Sequence, residues 1–519
     1  MPNKVVMLGL DACDVQLVKD WVAQGELSYF NKLMNQTTMM EVSSSCEVMS
    51  GSIWPSFFTS KTPDHHGMFY MLQMDNDAYN IKKTHAKDLQ SEPFWSALAD
   101  DKRCTIIDLP KLGLVEKGDN VQVVEWGAAD HYSQFQTHPS SLANLLTERF
   151  GPHVLHKEFV EPTSVEDYQS LFKALCEDLE SKIAMCEYLL QQNQPDLFIA
   201  VLGETHSAGH YFWRFHAPEK DEVIPIDIQK PLLKLYKKLD ACLQKFEQSL
   251  GENTNLFIFS GHGMVADNYP RWILNVVLEK MGVLHTLNKS KHMGNAGPVK
   301  HKESSWLDKK IEITRQYINQ HFIPKRLQTK LWLSKIQRDI DFKKSQAWAM
   351  PSDLQGCIRI NLEGREPTGT VKKSEYKQTI EQIIAVLKSL KNTETGAPIV
   401  DKIFKLRDIY ADGNHTESLP DISVLWSNQN VEHIYSDLLG EISIPNAARI
   451  RSGNHRPYGF CFAKGPDINH QHTCGQIDLM DLGPTVLKLI EPELKLSFTG
   501  TPLPIINLSN LFLYQIIVF

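Results

Sequence analysis

The chain reads as an α/β protein, a mainly parallel sheet covered by helices on both faces and carrying an inserted helical cap. Short, continuously apolar runs such as VVMLGL, LFIAVL and LFIFS alternate with longer amphipathic stretches. Strands of a parallel sheet read this way because helices bury both of their faces. Side chains able to hold a metal also recur directly behind these runs. Asp11 follows the first, His206 and His210 follow PDLFIAVLG, His262 follows LFIFSG, and His455 lies in SGNHRPYGFCFAKG. Ligands of open α/β sheets collect at the carboxyl ends of the strands, so the pattern predicts one metal-dependent site gathered by the sheet.

The elements follow in order. Residues 4–10 predict a buried strand, and DVQLVKDWVAQGEL an amphipathic helix ending near Gly25. A serine-rich turn at 43–52 leads to a helix from about Trp54, with Pro55 in the first turn, where proline is tolerated. FWSALADDKRCTIIDLPK repeats the step from helix to strand. SLANLLTERF and a long stretch around 168–192 predict helices before the strand LFIAVLG. IQKPLLKLYKKLDACLQKFEQSLG is another amphipathic helix, with Gly251 at its end, and feeds LFIFSG. These elements place the first part of the core at residues 1–281.

From 282 to 344 the character changes. Lys300, Lys302, Lys309, Lys310, Lys325 and Arg326 dominate, with Trp306 and Trp332 interleaved. This predicts the helical cap, its basic face either simply solvated or steering an anionic substrate. Residues 345–519 are expected to resume the core through CIRINLEG, a helix near 375–390, DISVLWS, YGFCFAKG and a closing helix in IDLMDLGPTVLKLI.

Composition narrows the class. With 42% apolar and 22% charged residues, the chain has the make-up of an ordinary soluble protein. A net charge of -8 argues against nucleic acid as a partner. The nine cysteines are scattered, without a CxxC pair, which fits reduced thiols and a cytoplasmic chain better than a disulfide framework or a thiolate zinc site. No apolar run is long enough for a transmembrane segment. The apolar end, PIINLSNLFLYQIIVF, reads as a buried terminal element, with a membrane-surface or partner contact as the other reading. Oligomeric state is not legible.

Each motif alone is ambiguous. Asp11 at a strand end can ligate metal or cap a helix, and Asp14 is the better cap. The hydroxyls of SGSIWPSFFTSKTPDHHG precede a helix N-terminus, a setting that favours an anion such as a transferring phosphoryl group. His65, His66, His85, His131 and His216 read as structural or surface residues. Asp130 and His131, in EWGAADHYSQFQTHP, face substrate or belong to an ordinary surface loop.

Taken together and in order, GLD, SGSIWPSFFTSKTPDHHG, ETHSAGH, SGHGM and GNHRPYG resemble the alkaline-phosphatase superfamily. The chain looks most like its type I phosphodiesterase/nucleotide pyrophosphatase branch and the sulfatase-like proteins beside it. The resemblance runs from about residue 4 to residue 490. It implies an alkaline-phosphatase-like core and places the nucleophile on Ser50, with Ser52 close by. It makes Asp11 and His262 ligands of one metal site, and His210 and His455 ligands of the other.

Two departures stand out. Where the family has aspartate four residues before His210, this chain has His206; where it has aspartate before His262, this chain has Gly261. The first keeps a ligand, so His206, His210 and His455 make a three-histidine site with an open position, as catalytic zinc uses. Glu204 offers a further carboxylate there. The second removes a ligand, leaving the other site weaker, empty, or repaired by Asp14, Asp267 or water. Arg359, Asn361 and Arg365, around a strand end with Glu366, are candidates to grip an anionic ester, or to form internal ion pairs.

The expected activity is metal-dependent hydrolysis, or transfer, of a phosphoric ester through a covalent seryl intermediate. A small anionic phosphodiester is the first-choice substrate, and divalent metal, zinc by its ligands, the cofactor, with one firm site and a second uncertain. The alternatives are a sulfatase or phosphomonoesterase on the same scaffold, and a non-catalytic metal- or anion-binding protein or mutase of that fold.

Overall fold

The computed structural model describes residues 4–75, 79–127, 134–153, 162, 164–218, 224–270, 273–287, 339–443, 451–469 and 473–507. It divides into two compact units, one of Met1–Phe69, His85–Asp267 and Arg451–Phe519, the other of Tyr70–Thr84 and Asn268–Ile450.

The first unit is built, in chain order, from β1 (Lys4–Leu10), α1 (Val15–Ala23), β2 (Thr38–Ser43), α2 (Ile53–Thr59), β3 (Cys104–Ile107), β4 (Val121–Val124), β5 (Gln136–His138) and α3 (Val165–Asn193). It continues with β6 (Leu197–Leu202), α4 (Glu204–His216), α5 (Pro231–Gln248), β7 (Thr254–Ser260) and β8 (Gly263–Ala266). After the second unit come β9 (Gly453–Arg456), β10 (Gly459–Lys464), β11 (Thr473–Asp478) and α6 (Leu482–Ile490). Among the described residues, nine strands form one sheet in the order β11-β2-β10-β7-β1-β6-β3-β4-β5. Its centre is parallel, β1 lying between β6 and β7 with Val5 beside both Leu197 and Asn255. Antiparallel β10 joins β7 to β2, and β5 closes the far edge. This is the mainly parallel sheet the sequence predicts.

Helices cover both faces. On one, Val6, Leu8 and Leu10 pack with Phe198, Ala200, Leu256 and Ile258 against Leu175 and Leu179 of α3 and Leu235 and Leu239 of α5. Burying each such side chain stabilises the fold by about 1.5–3 kcal/mol. On the other, Phe57 of α2 packs tilted against Phe259 of β7, ring centres 4.8 Å apart. A Cβ on Gly9 would come within 2.8 Å of Trp54, so glycine in β1 lets α2 lie close on the sheet. Local signals set the helix ends. Asp14 accepts from the backbone of Gln16 and Leu17 to start α1, and Ser164 with Asp167 forms a capping box on α3.

In the second unit, strands Ala347–Met350, Gly356–Ile360, Ile422–Trp426 and Val400–Lys405 form an antiparallel sheet beside helix Tyr376–Lys388. The large sheet is therefore not resumed at 345; its next strand is β10. The physical reason is that a fully buried run such as GCIRI looks the same in sequence whether its neighbours are parallel or antiparallel. Of the expected cap, residues 288–338 lie outside the described residues, as do Asp130, His131 and residues 508–519 of the apolar end. Among the described residues no helix is long and apolar enough to cross a membrane.

Candidate metal centre

The site forms where β1, β6 and β7 end. Helix α4 starts directly after β6, so His206 and His210 project from one face a turn apart. The antiparallel pairing of β8 with β9, strands far apart in the sequence, sets Met264 beside His455 and brings that imidazole alongside. His206 Nε2 lies 2.9 Å from His210 Nε2 and 3.1 Å from His455 Nε2. One ligand atom from each of the three falls within 4.8 Å of the other two.

The atoms behind the imidazoles fix their tautomers. His206 Nδ1 lies 2.8 Å from Asp11 Oδ2. Burial pushes the Asp11 carboxyl up, but His206 beside it brings it down to about 2, so the carboxylate accepts and Nδ1 carries the hydrogen. His210 Nδ1 donates to the Gly453 carbonyl at 2.9 Å. A Cβ on Gly453 would strike the Gly209 carbonyl oxygen, so glycine permits this approach. With both Nδ1 atoms protonated, two Nε2 lone pairs face each other at 2.9 Å. They repel unless a cation lies between them. Burial, then the Arg451 charge, holds His210 well below its usual value; burial, then His262, does the same for His455. Neutral imidazoles backed by a carboxylate and a carbonyl are what a divalent metal requires. The three histidines fit the ion.

The other expected site is differently built. Asp11 is engaged by His206 through one oxygen and by Trp54 Nε1, at 2.9 Å, through the other. His262 Nε2 is 3.9 Å from Asp11 Oδ1, and its ring lies 4.6 Å from that of His455. A Cβ on Gly261 would come within 2.8 Å of Ile53 Cγ2 and Leu479 Cδ2, so apolar side chains occupy the ground an aspartate would need. Asp14 caps α1 and pairs with Arg456 at 2.7 Å, and Asp267 accepts from Asn454. Glu204 faces Lys182 Nζ at 3.7 Å, within a buried pair of Lys182 and Asp108 at 2.9 Å.

Ser50 is buried in the single turn that leads into α2. Ser52 donates its hydroxyl to the Met49 carbonyl at 2.7 Å and does not cap α2. Four residues beyond Ser50, Trp54 ties this turn to Asp11.

The expected substrate grip is corrected. Arg359, fully buried, donates to Glu366 at 2.8 Å and to the carbonyls of Glu417 and Leu419. Arg365 forks onto both oxygens of Asp421 at 2.8 and 2.7 Å. Asn361 donates to the carbonyls of Phe342 and Ser345 and accepts from Tyr79. These three side chains hold the second unit together, with neighbouring carboxylates and carbonyls taking most of their donors. Residues missed in sequence are Trp54, Arg451, whose Nη1 lies 3.3 Å from His210 Nε2, and Lys111, whose ammonium donates to the Gly51 carbonyl at 2.5 Å. Lys111 follows the end of β3, so the strand-end logic that found Asp11 applies to it equally.

A mainly parallel sheet with histidines collected at its strand ends is the architecture expected of the alkaline-phosphatase type. The type I phosphodiesterase / nucleotide pyrophosphatase family matches residues 5–437, and the chain belongs to that family. It is a phosphodiesterase/pyrophosphatase-like hydrolase, of a family typically dependent on divalent metal. His455 lies beyond the matched stretch. Among solved structures, the chain is similar to murine ectonucleotide pyrophosphatase / phosphodiesterase 5 (12% identity, TM-score 0.45), covering 96% of this chain and 97% of that one. It is also similar to phosphonoacetate hydrolase from Sinorhizobium meliloti 1021 in complex with phosphonoformate (11% identity, TM-score 0.47), covering 91% and 92%. No curated protein matches.

Proposed function

We propose that this hydrolase cleaves a small anionic phosphodiester or pyrophosphate through Ser50, with one zinc ion held by His206, His210 and His455. The observation that carries this reading is the convergence of the three Nε2 atoms with hydrogen-bonded Nδ1 atoms behind two of them. Three imidazoles without a thiolate suit zinc and leave a position open. When bound, the ion supplies Lewis acidity, lowering a hydroxyl's pKa and stabilising charge on ester oxygens.

The chain's own residues do the rest. Asp11 and Gly453 hold the imidazoles in register. Ser50 Oγ attacks phosphorus, the bond to the leaving group breaks, and water then opens the seryl ester and restores the hydroxyl. The phosphodiester preference rests on the family's character. The thiols of Cys13, Cys186 and Cys461, free and buried, favour a reducing, cytoplasmic setting.

The test is to load the full chain with zinc and assay a bis-ester, a mono-ester and a sulfate ester of one chromogenic alcohol. Bis-ester turnover that chelation removes and zinc restores is the expected result. A preference for the mono-ester or the sulfate, or activity indifferent to chelation, overturns the reading.

A further inference from the structure

We propose that Lys111 supplies the second positive charge of the catalytic site, its ammonium binding an oxygen of the phosphoryl group that Ser50 attacks. The inference rests on the seryl reading above and extends it to a residue that neither the motifs nor the family resemblance singled out.

Three observations carry it. Lys111 reaches across 60 residues of sequence to donate at 2.5 Å to the carbonyl of Gly51, the residue after Ser50, and it is buried there. Its backbone is left-handed at φ 71°, in a turn at the end of β3 that also holds Asp108 at φ 54°. Ala12 after β1, at 53°, and Glu125 after β4, at 58°, share that conformation. Such a conformation strains a non-glycine residue, and strain of this kind clusters at functional sites. Finally, Gly261 and the engaged Asp11 leave the neighbouring metal position without the carboxylates a second cation needs.

A transferring phosphoryl group concentrates negative charge on its non-bridging oxygens, and fixed cations or donors aimed there are the main source of its stabilisation. An ammonium is a compact point charge with three donors, so one can stay on the Gly51 carbonyl while another meets the ligand. A purely structural lysine would hold the Ser50 turn and contribute nothing to anion affinity.

The experiment uses zinc-loaded full-length chain carrying Lys111→Gln, which keeps a donor for Gly51 but no charge, and Lys111→Arg, which keeps the charge. Inorganic phosphate binding is measured by calorimetry, beside zinc content and melting temperature. Lys111→Gln is expected to keep its zinc and lose phosphate affinity by about 10- to 100-fold, the worth of a charged hydrogen bond. Lys111→Arg should retain most of it. Phosphate affinity unchanged in a folded Lys111→Gln overturns the proposal and makes Lys111 a turn-holding residue. If the Gln variant does not fold, the Arg variant decides, and natively melting protein that no longer binds phosphate overturns it. Ser50→Ala, assayed in parallel, separates the two readings: retained turnover there refutes the seryl mechanism, whereas phosphate affinity reports on Lys111 alone.

Discussion

Asp11 Oδ2 lies 2.8 Å from His206 Nδ1, so the carboxylate at the end of the first strand orients an imidazole on α4. Its other oxygen is held by Trp54 Nε1. The aspartate expected to ligate metal thus lies behind the His206 imidazole, a position from which it sets ring orientation and basicity.

Removal of Asp11 should therefore weaken the site without abolishing it. In Asp11→Asn the expected loss of zinc affinity is about 10- to 100-fold. His210→Ala, which deletes one of three converging Nε2 atoms, should leave protein that purifies without stoichiometric zinc. Zinc titration of both variants decides; an equal loss would place Asp11 among the direct ligands.

The two hydroxyls of the SGS turn should separate cleanly. Ser50→Ala is expected to lower turnover by several orders of magnitude, as removal of a covalent nucleophile does, with zinc content intact. Ser52→Ala removes one hydrogen bond to Met49 and should cost about 1 kcal/mol of stability while sparing the chemistry. Bis-ester kinetics and thermal melts read the pair, and a dead Ser52→Ala would move the nucleophile to that residue.

Restoring the family's aspartate should fail. Gly261→Asp forces a Cβ to within 2.8 Å of Ile53 and Leu479 and buries a charge among them. Overpacking alone costs about 1–3 kcal/mol. The variant should melt lower and bind no additional zinc equivalent. A second equivalent at undiminished stability would show that the ground is not closed.

The second unit should be acid-sensitive through Asp421. Burial pushes its carboxyl up, but the hydrogen bonds and charge of Arg365, with Arg359 behind, hold it below its ordinary 3.8. Between that lower value and 3.8 the unfolded chain binds more protons than the folded one, so stability falls as pH drops through this window. Arg365→Met should remove that slope and cost about 3–5 kcal/mol at neutral pH by stranding a buried carboxylate. Urea melts as a function of pH measure both effects; a slope unchanged in the variant would exclude the pair as its source.

The chain's local patterns determined a good deal by themselves. Continuous apolar runs gave β1, β6 and β7 because a strand covered on both faces must be apolar throughout, and the residues just behind them, Asp11, His206, His210 and His262, had to emerge at one sheet edge. The four-residue spacing of His206 and His210 already put both rings on one face of a helix. Tertiary structure decided the rest. Whether Asp11 meets a metal or an imidazole depends on where α4 and Trp54 of α2 lie against β1, and no local spacing encodes that. Arg359 and Arg365 carry the same charge in sequence whether they face an ester or Glu366 and Asp421. The buried strand GCIRI likewise could not declare its partners, because burial fixes the composition of a strand and leaves its neighbours to be chosen by the packing of residues far away in the chain.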